Sequence, residues 1–182
     1  MRIAYFDCFS GISGDMILGA FIDLGLKPKV LTSHLSKLSL SGYQLEVSRE
    51  QRGQIAGTKV NVKVENEAQP PRSAREIREL IAGSKLPDPV KKMSLAVMQR
   101  LAEVEGYLHQ HPPEKAHFHE VGAVDSIVDM VGACIGLHAL DIGRVVASPL
   151  PLGRGFVHCE HGMLPLPAPA TMALLKGVPV YD

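Results

Sequence analysis

The segment from Ala123 to Leu140 constrains the fold of this chain most strongly. Its apolar residues recur at intervals of three and four and predict one face of an α-helix: Val124, Ile127, Val128, Val131 and Ile135. Gly132 and Gly136 lie within the same segment, where the absence of a side chain allows another element to approach the backbone closely. We therefore expect a long helix with a neighbouring element packed against its glycines.

Five further helices are predicted from apolar periodicity together with capping residues and prolines. The first begins after Ser13, its N-cap residue, and ends at Gly25. The others span Pro28–Leu38, Ala74–Ile81, Pro89–Tyr107 and Ala170–Lys176.

Short strands are predicted where apolar residues form short runs or alternate with polar ones. They are residues 2–6, two strands around 43–47 and 60–64 that are joined near Gly53, Val145–Ala147 and Phe156–Cys159. Because helices and strands alternate only in part, the pattern predicts a mixed α/β (α+β) fold with short strands and five to six helices, and it leaves the topology open. A length of 182 residues predicts a single compact domain over 1–182.

Composition excludes several classes of function. The 19 Lys and Arg residues balance the 19 Asp and Glu residues, so no overall basic charge predicts binding to nucleic acid or to a membrane surface. No apolar run reaches the ~18 residues that a membrane span needs. The three cysteines, Cys8, Cys134 and Cys159, are far apart and odd in number, which is typical of reduced thiols and predicts a cytoplasmic protein.

Four of the eight histidines fall within residues 109–119: His109, His111, His117 and His119. Imidazole is a preferred ligand of nickel and zinc. An H-x-H pair points to one side where the backbone is extended, and Pro112-Pro113 favours such a backbone. Glu120 follows directly and could be a ligand, an orienting residue or a base. The alternative is a solvent-facing polar connector whose histidines bind nothing.

The segment from Asp7 to Asp15 joins the first strand to the first helix through a Gly/Ser turn. Backbone amides at the start of a helix bind phosphate, which indicates a phosphate-binding turn, although the Lys of a P-loop is absent. The turn residues concerned are Ser10, Gly11, Ser13 and Gly14. Asp7 and Asp15 are candidate catalytic residues that could instead hold a hydrated divalent cation. An ordinary capped helix behind a tight turn is the alternative.

Asp125 and Asp129 are four residues apart on the long helix and therefore share a face. Like charges at this spacing repel unless a cation lies near them, and that cation could be a metal ion, Lys or Arg. Helix capping is an alternative explanation for Asp125.

A last group of candidates lies in residues 153–162. Cys159 and His161 would share a face of a strand, and this pair suits a soft or borderline metal. The alternatives are a nucleophile–base pair, for which no third orienting residue can be named, and a strand without a site. Arg154 lies between two glycines and could reach a phosphate.

Three blocks of the sequence resemble the LarC family, the nickel-insertion proteins of the lactate racemase cofactor pathway. The blocks are Tyr5–Met16 (YFDCFSGISGDM), His117–Asp129 (HFHEVGAVDSIVD), and the stretch from Ser148 to Thr171 that contains SPLPLGRG and PLPAPAT. The resemblance runs along the whole chain. Because proteins of this family are about twice as long, the chain resembles their N-terminal half.

The resemblance implies a CTP-dependent, lyase-type cyclometallation. Nickel(II) enters pyridinium-3,5-bisthiocarboxylic acid mononucleotide and forms two Ni–S bonds and one Ni–C bond. The resemblance assigns CTP and its Mn or Mg ion to the C-terminal half, which this chain lacks. It also implies lactate racemase apoprotein as a downstream partner, and it is compatible with a homo-oligomer.

Formation of the Ni–C bond removes a proton from the pyridinium ring and therefore needs a base, for which Glu120 or a metal-free histidine is the candidate. Two rival functions remain open. A nickel-storage or chaperone module would bind nickel stoichiometrically and make no product. A metal-dependent phosphohydrolase using Asp7 and Asp15 would release phosphate with Mg²⁺.

Overall fold

The central element of the structure is the helix that contains the two glycines. The structure, a computed structural model, describes residues 1–65, 72–118, 122–159 and 162–182. A side-chain carbon added at Gly132 would lie 2.9 Å from Leu18 Cδ2, and one added at Gly136 would lie 2.2 Å from Phe21 Cδ2. The expected close approach of a neighbouring element is therefore confirmed, and that neighbour is the first helix of the chain.

Six α-helices and eight short strands form within the described residues, which confirms the expected mixed α/β fold. The helices are α1 (Gly14–Asp23), α2 (Pro28–Leu35), α3 (Ala74–Gly83), α4 (Asp88–Leu108), α5 (Val124–Ala139) and α6 (Pro169–Leu174). The strands are β1 (Arg2–Phe6), β2 (Tyr43–Arg52), β3 (Ile55–Val64), β4 (Ile142–Ala147), β5 (Leu150–Pro151), β6 (Phe156–Cys159), β7 (Gly162–Pro165) and β8 (Val180–Tyr181). None of these helices is long and apolar enough to cross a membrane.

The strands pair two by two. β1 pairs with β4 and β5 with β8 in parallel, whereas β2–β3 and β6–β7 are antiparallel hairpins. β5, β7 and β8 were not predicted, because runs of two to four residues are too short to show a periodic pattern. α2 ends at Leu35 rather than at Leu38, because the backbone continues as a tight turn in which Leu38 N–H donates to the Leu35 carbonyl at 3.0 Å.

The core is formed by helices α1 to α5 together with Val60 of β3, and Phe6 of β1 is partly buried against it. The ring of Phe6, at the end of β1, packs edge-on against Phe21 of α1 with ring centroids 6.2 Å apart. The β2–β3 hairpin is attached to the other side of α1. There the Asp23 carboxylate accepts hydrogen bonds from the Thr58 amide at 3.0 Å and the Thr58 hydroxyl at 2.7 Å, and it also pairs with Arg49. These contacts lower the pKa of Asp23, the Thr58 hydroxyl most strongly, and they attach the hairpin to the end of α1.

Candidate functional site

The loop between β1 and α1 is anchored at the carboxyl end of the parallel strand pair. Cys8 is buried, and its amide donates to the hydroxyl of Ser148, which directly follows β4, at 2.8 Å. The turn closes through a hydrogen bond from Gly11 N–H to the Cys8 carbonyl at 2.9 Å, with Gly11 at a φ of 82° that glycine adopts readily. Ligand sites in α/β proteins form at this end of parallel strands. Asp7 is exposed in the same loop.

The first turn of α1 already carries negative charge. Ser13 is the N-cap residue, as expected, but its hydroxyl donates to the Asp15 carboxylate instead of accepting from the helix. The Asp15 carboxylate accepts the Met16 amide at 2.9 Å, and the Asp15 amide donates to the carboxylate of Asp129. A phosphate bound at this turn would therefore accept hydrogen bonds from the amides of residues 10–14, and the carboxylates of Asp15 and Asp129 would repel it.

Asp15, Asp125 and Asp129 form a carboxylate cluster where the first turn of α1 meets the first two turns of α5. Asp129 is only partly exposed, and its Oδ1 atom is buried without a hydrogen-bond partner among the described residues. Burial, followed by the negative charges of Asp15 and Asp125, raises the pKa of Asp129 from 3.8 to about 6. Such a cluster gains stability from a proton or a cation that binds to it.

A cleft of about 480 Å³ lies between the start of α1 and the β2–β3 hairpin. Asp15 lines this cleft, so the carboxylate cluster and the cleft share a residue. The hairpin contributes Arg52 and Lys59, and Lys59 also pairs with Glu50 at 3.3 Å. Ligand pockets commonly have volumes of ~300–1,000 Å³. Sequence reasoning missed Arg52 and Lys59, because on a strand they are indistinguishable from solvent-facing charges.

His109 and His111 come together at the end of α4. Their rings stack with centroids 5.9 Å apart and planes 14° apart, and His109 Nε2 lies 3.3 Å from Glu105 Oε2. The prediction of an extended backbone for this pair is wrong. Gln110 has a φ of 56°, and His111 N–H donates to the Gly106 carbonyl at 2.9 Å, which is a helix-capping turn. The Nδ1 atom of His111 is buried without a hydrogen-bond partner among the described residues.

His117 lies beside the start of α3. It forms an isolated β-bridge with Ser73, the N-cap residue of α3, and it is exposed. It makes the smallest contribution to the lowered pKa of Glu76, after the hydrogen bonds from Ser73 and the charge of Arg72. His119, Glu120 and His161 lie outside the described residues. Within the described part of the chain, no three His, Cys, Asp or Glu side chains are arranged to hold a metal ion together.

The remaining candidates lie in and before the β6–β7 hairpin. Cys159 is partly exposed and its thiol donates to the Gly162 carbonyl at 3.4 Å. Arg154 pairs with the carboxylate of Asp182, so its charge is balanced within the chain.

Sequence comparison gives concordant matches over nearly the whole chain. The sequence model of a family described as nickel insertion protein matches residues 4–182. A relative from Syntrophobacter fumaroxidans is 61% identical over 182 residues, which is 100% of this chain and 46% of that protein. Relatives from Geobacter sp. strain M21 and Thermomicrobium roseum are 50% and 53% identical over 99% and 96% of this chain, and over 47% and 43% of their own lengths.

The three relatives are provisionally named nickel insertion proteins. The chain spans about half the length of these curated relatives. No solved structure matches the chain.

Proposed function

The chain belongs to the nickel insertion protein family, and we propose that it holds nickel(II) beside pyridinium-3,5-bisthiocarboxylic acid mononucleotide while the metal is inserted. The complete reaction needs the C-terminal half that the resemblance implies, with CTP and Mn or Mg bound there. Nickel is a substrate of this reaction and leaves in the product. The product is the cofactor of lactate racemase, so the apoprotein of that enzyme is the recipient, and both act in the cytoplasm.

The observation that carries this proposal is the position of Asp15, which belongs both to the carboxylate cluster and to the cleft. A nickel ion held by Asp15 and Asp129 would lie at the wall of the space in which the mononucleotide is bound. Three carboxylates with one raised pKa are stabilised by a divalent cation. Two carboxylates fill only part of the coordination sphere of nickel(II), so positions are left for the sulfur atoms of the incoming substrate.

The cleft has charges of both signs, as the substrate does. The mononucleotide has a positive pyridinium ring, two negative thiocarboxylates and a phosphate. Arg52 and Lys59 can pair with the negative groups. Asp15 and Glu50 lie on the same cleft and favour the positive ring.

The chemical step exchanges a ring proton for nickel. Two Ni–S bonds and one Ni–C bond form, the C–H bond breaks, and the proton passes to a base of the protein. Glu120 is the proposed base, and the four histidines of residues 109–119 are proposed to deliver nickel to the carboxylate cluster. Neutral imidazole and carboxylate release nickel more readily than a set of thiolates does, which suits a metal that must be handed on.

The proposal is tested by titrating the protein with nickel in the presence and absence of the dithiocarboxylate mononucleotide and following ligand absorbance. We expect the mononucleotide to tighten nickel binding in the wild type, and Asp129→Asn to remove this effect. Asp141→Asn is the matched control, since Asp141 is exposed and has a φ of 55° that Asn tolerates. Nickel binding without any influence of the mononucleotide would favour storage. Phosphate release with Mg²⁺ would favour a phosphohydrolase.

A further inference from the structure

The parallel pair β1–β4 is a two-stranded sheet with a large uncovered apolar surface. Ile3 and Tyr5 of β1 have 56% and 63% of their surface exposed, and they pair across the sheet with Arg144 and Val146 of β4. Along β1 these residues alternate with Ala4 and with Phe6, whose ring packs on Phe21 in the core. Ile3 and Tyr5 therefore lie on the face of the sheet that points away from α1.

Such a sheet is unusual as the surface of a folded protein. Parallel sheets are generally covered on both faces, and two strands alone are marginally stable in water. Among the described residues, β1 and β4 pair with each other and with no other strand, so their outer edges present backbone N–H and C=O groups to solvent. An edge of this kind pairs readily with a further strand.

We propose that the outer face and edges of β1–β4 are the docking surface for the part of the longer relatives that this chain does not match. The Syntrophobacter fumaroxidans protein is matched over 46% of its length, so more than half of it lies beyond the matched region and is available to cover the sheet. The occupant is therefore a segment of the same protein that adds a strand or packs apolar side chains on Ile3 and Tyr5. This contact places the other half at the strand ends from which the loop carrying Asp7 emerges.

Amide hydrogen exchange tests this surface without nickel or substrate, so its outcome is independent of the proposed function. Exchange is measured for this chain alone and for a fusion in which the remainder of the Syntrophobacter fumaroxidans relative follows it. We expect the amides of β1 and β4 to exchange at least tenfold more slowly in the fusion, with little change in β2–β3. Tyr5→Lys in the fusion should restore fast exchange. Tyr107→Lys should not, because Tyr107 is an exposed aromatic residue that lies on α4, away from the sheet.

A second measurement decides the question if the fusion does not fold. In the natural full-length relative, the stretches that match β1 and β4 should be protected from exchange. Unprotected strands in that protein would overturn the proposal. Protection in this chain alone that increases with protein concentration would also overturn it, because a second copy of the chain would then cover the face.

Discussion

The side chain of Asp129 occupies the space that a side chain at Gly14 would need. A carbon added at Gly14 would lie 2.4 Å from Asp129 Cβ and 2.5 Å from its Oδ2 atom. The first turn of α1 therefore approaches the second turn of α5 so closely that the Asp129 carboxylate accepts a hydrogen bond from the Asp15 amide. The raised pKa of Asp129 follows from this contact, because the approach buries the carboxyl and brings it near two other carboxylates.

Gly14→Ala tests the close approach of the two helices. The added methyl group must displace Asp129, and overpacking of this kind costs ~1–3 kcal/mol. We expect the free energy of unfolding in urea to fall by that amount and nickel affinity to fall with it. Gly83→Ala is the matched control, since a carbon added at Gly83 meets nothing within 4 Å and Ala favours the helix. Equal stability of Gly14→Ala and the wild type would contradict the packing described here.

Asp129→Asn should make the protein more stable at pH 8. The carboxyl has a pKa of 3.8 when unperturbed and about 6 in the fold, so the folded state binds its proton more tightly than the unfolded one. The proton on Asp129 therefore stabilises the fold. This stabilisation is complete below pH 3.8 and is lost as the pH rises through about 6. The difference corresponds to ~3 kcal/mol, and solvent around the partly exposed group reduces it to ~1–2 kcal/mol.

Because Asn resembles the protonated acid, the variant keeps the stabilisation at every pH. Urea denaturation at pH 4 and pH 8 measures the gain, which should be near zero at the lower pH. The same variant should bind nickel more weakly, since it removes a negative charge from the cluster. If Asp129→Asn were less stable than the wild type at pH 8, the buried charge of Asp129 would not destabilise the fold.

The long helix and its pair of acidic residues could be predicted from the sequence, whereas the rest of the carboxylate cluster could not. Asp125 and Asp129 share a helix, so their spacing alone brings them together. Asp15 joins them only because Gly14 and Gly132 allow α1 to lie against α5, and residues far apart in sequence leave no local signal of such a contact. The cleft residues Arg52 and Lys59 were missed because the sequence does not distinguish them from solvent-facing charges on a strand.

In the histidine segment, the composition was informative but the predicted backbone geometry was not. Its composition indicated metal chemistry, but the backbone geometry inferred from Pro112-Pro113 was wrong, since the end of α4 imposes a capping turn at Gln110. The helix end determines the conformation there more strongly than the prolines that follow. The roles of His117, His119 and His161 in binding nickel stay predictions.

Replacing His117 and His119 together by Ala should weaken nickel binding at least tenfold at pH 7.5. Imidazole must be neutral to bind a metal, so the affinity of the wild type should also fall as the pH drops below ~6.5. Calorimetry measures both effects. His158→Ala is the control, because His158 is exposed on β6. Unchanged nickel affinity in the double variant would show that this part of the segment does not bind the metal and is a polar connector.

Arg52→Ala should weaken binding of the mononucleotide about tenfold and leave nickel affinity in its absence unchanged. The guanidinium lines the cleft, and a charge-assisted hydrogen bond to a phosphate or thiocarboxylate contributes ~1.5–3 kcal/mol. Lys63→Ala is the control, since Lys63 lies on the same hairpin but pairs with Glu46 at 2.8 Å outside the cleft. Equal binding of the mononucleotide by Arg52→Ala and the wild type would remove the cleft from the proposed site.

Glu120→Gln tests the base that the Ni–C bond requires. Gln has the size of Glu and keeps hydrogen bonding, but it does not accept the ring proton. The variant, assayed with the C-terminal half of a relative and CTP, should bind nickel through the two sulfur atoms and stall before the Ni–C bond forms. Loss of a general base costs ~10²–10⁴ in rate, so the sulfur-bound species should accumulate and be visible by its absorbance.

The nickel affinity of the same variant separates two roles for Glu120. A residue that only orients a neighbouring histidine would lower nickel affinity when it is replaced, whereas a base would leave the affinity unchanged and lower only the rate of the final step. Wild-type turnover would exclude both roles. The proton would then have to leave through another group, and Asp125 and Asp129 are the next candidates. Only a carboxylate of this pair that does not itself bind the nickel can accept the proton, because a bound cation favours the ionised carboxylate.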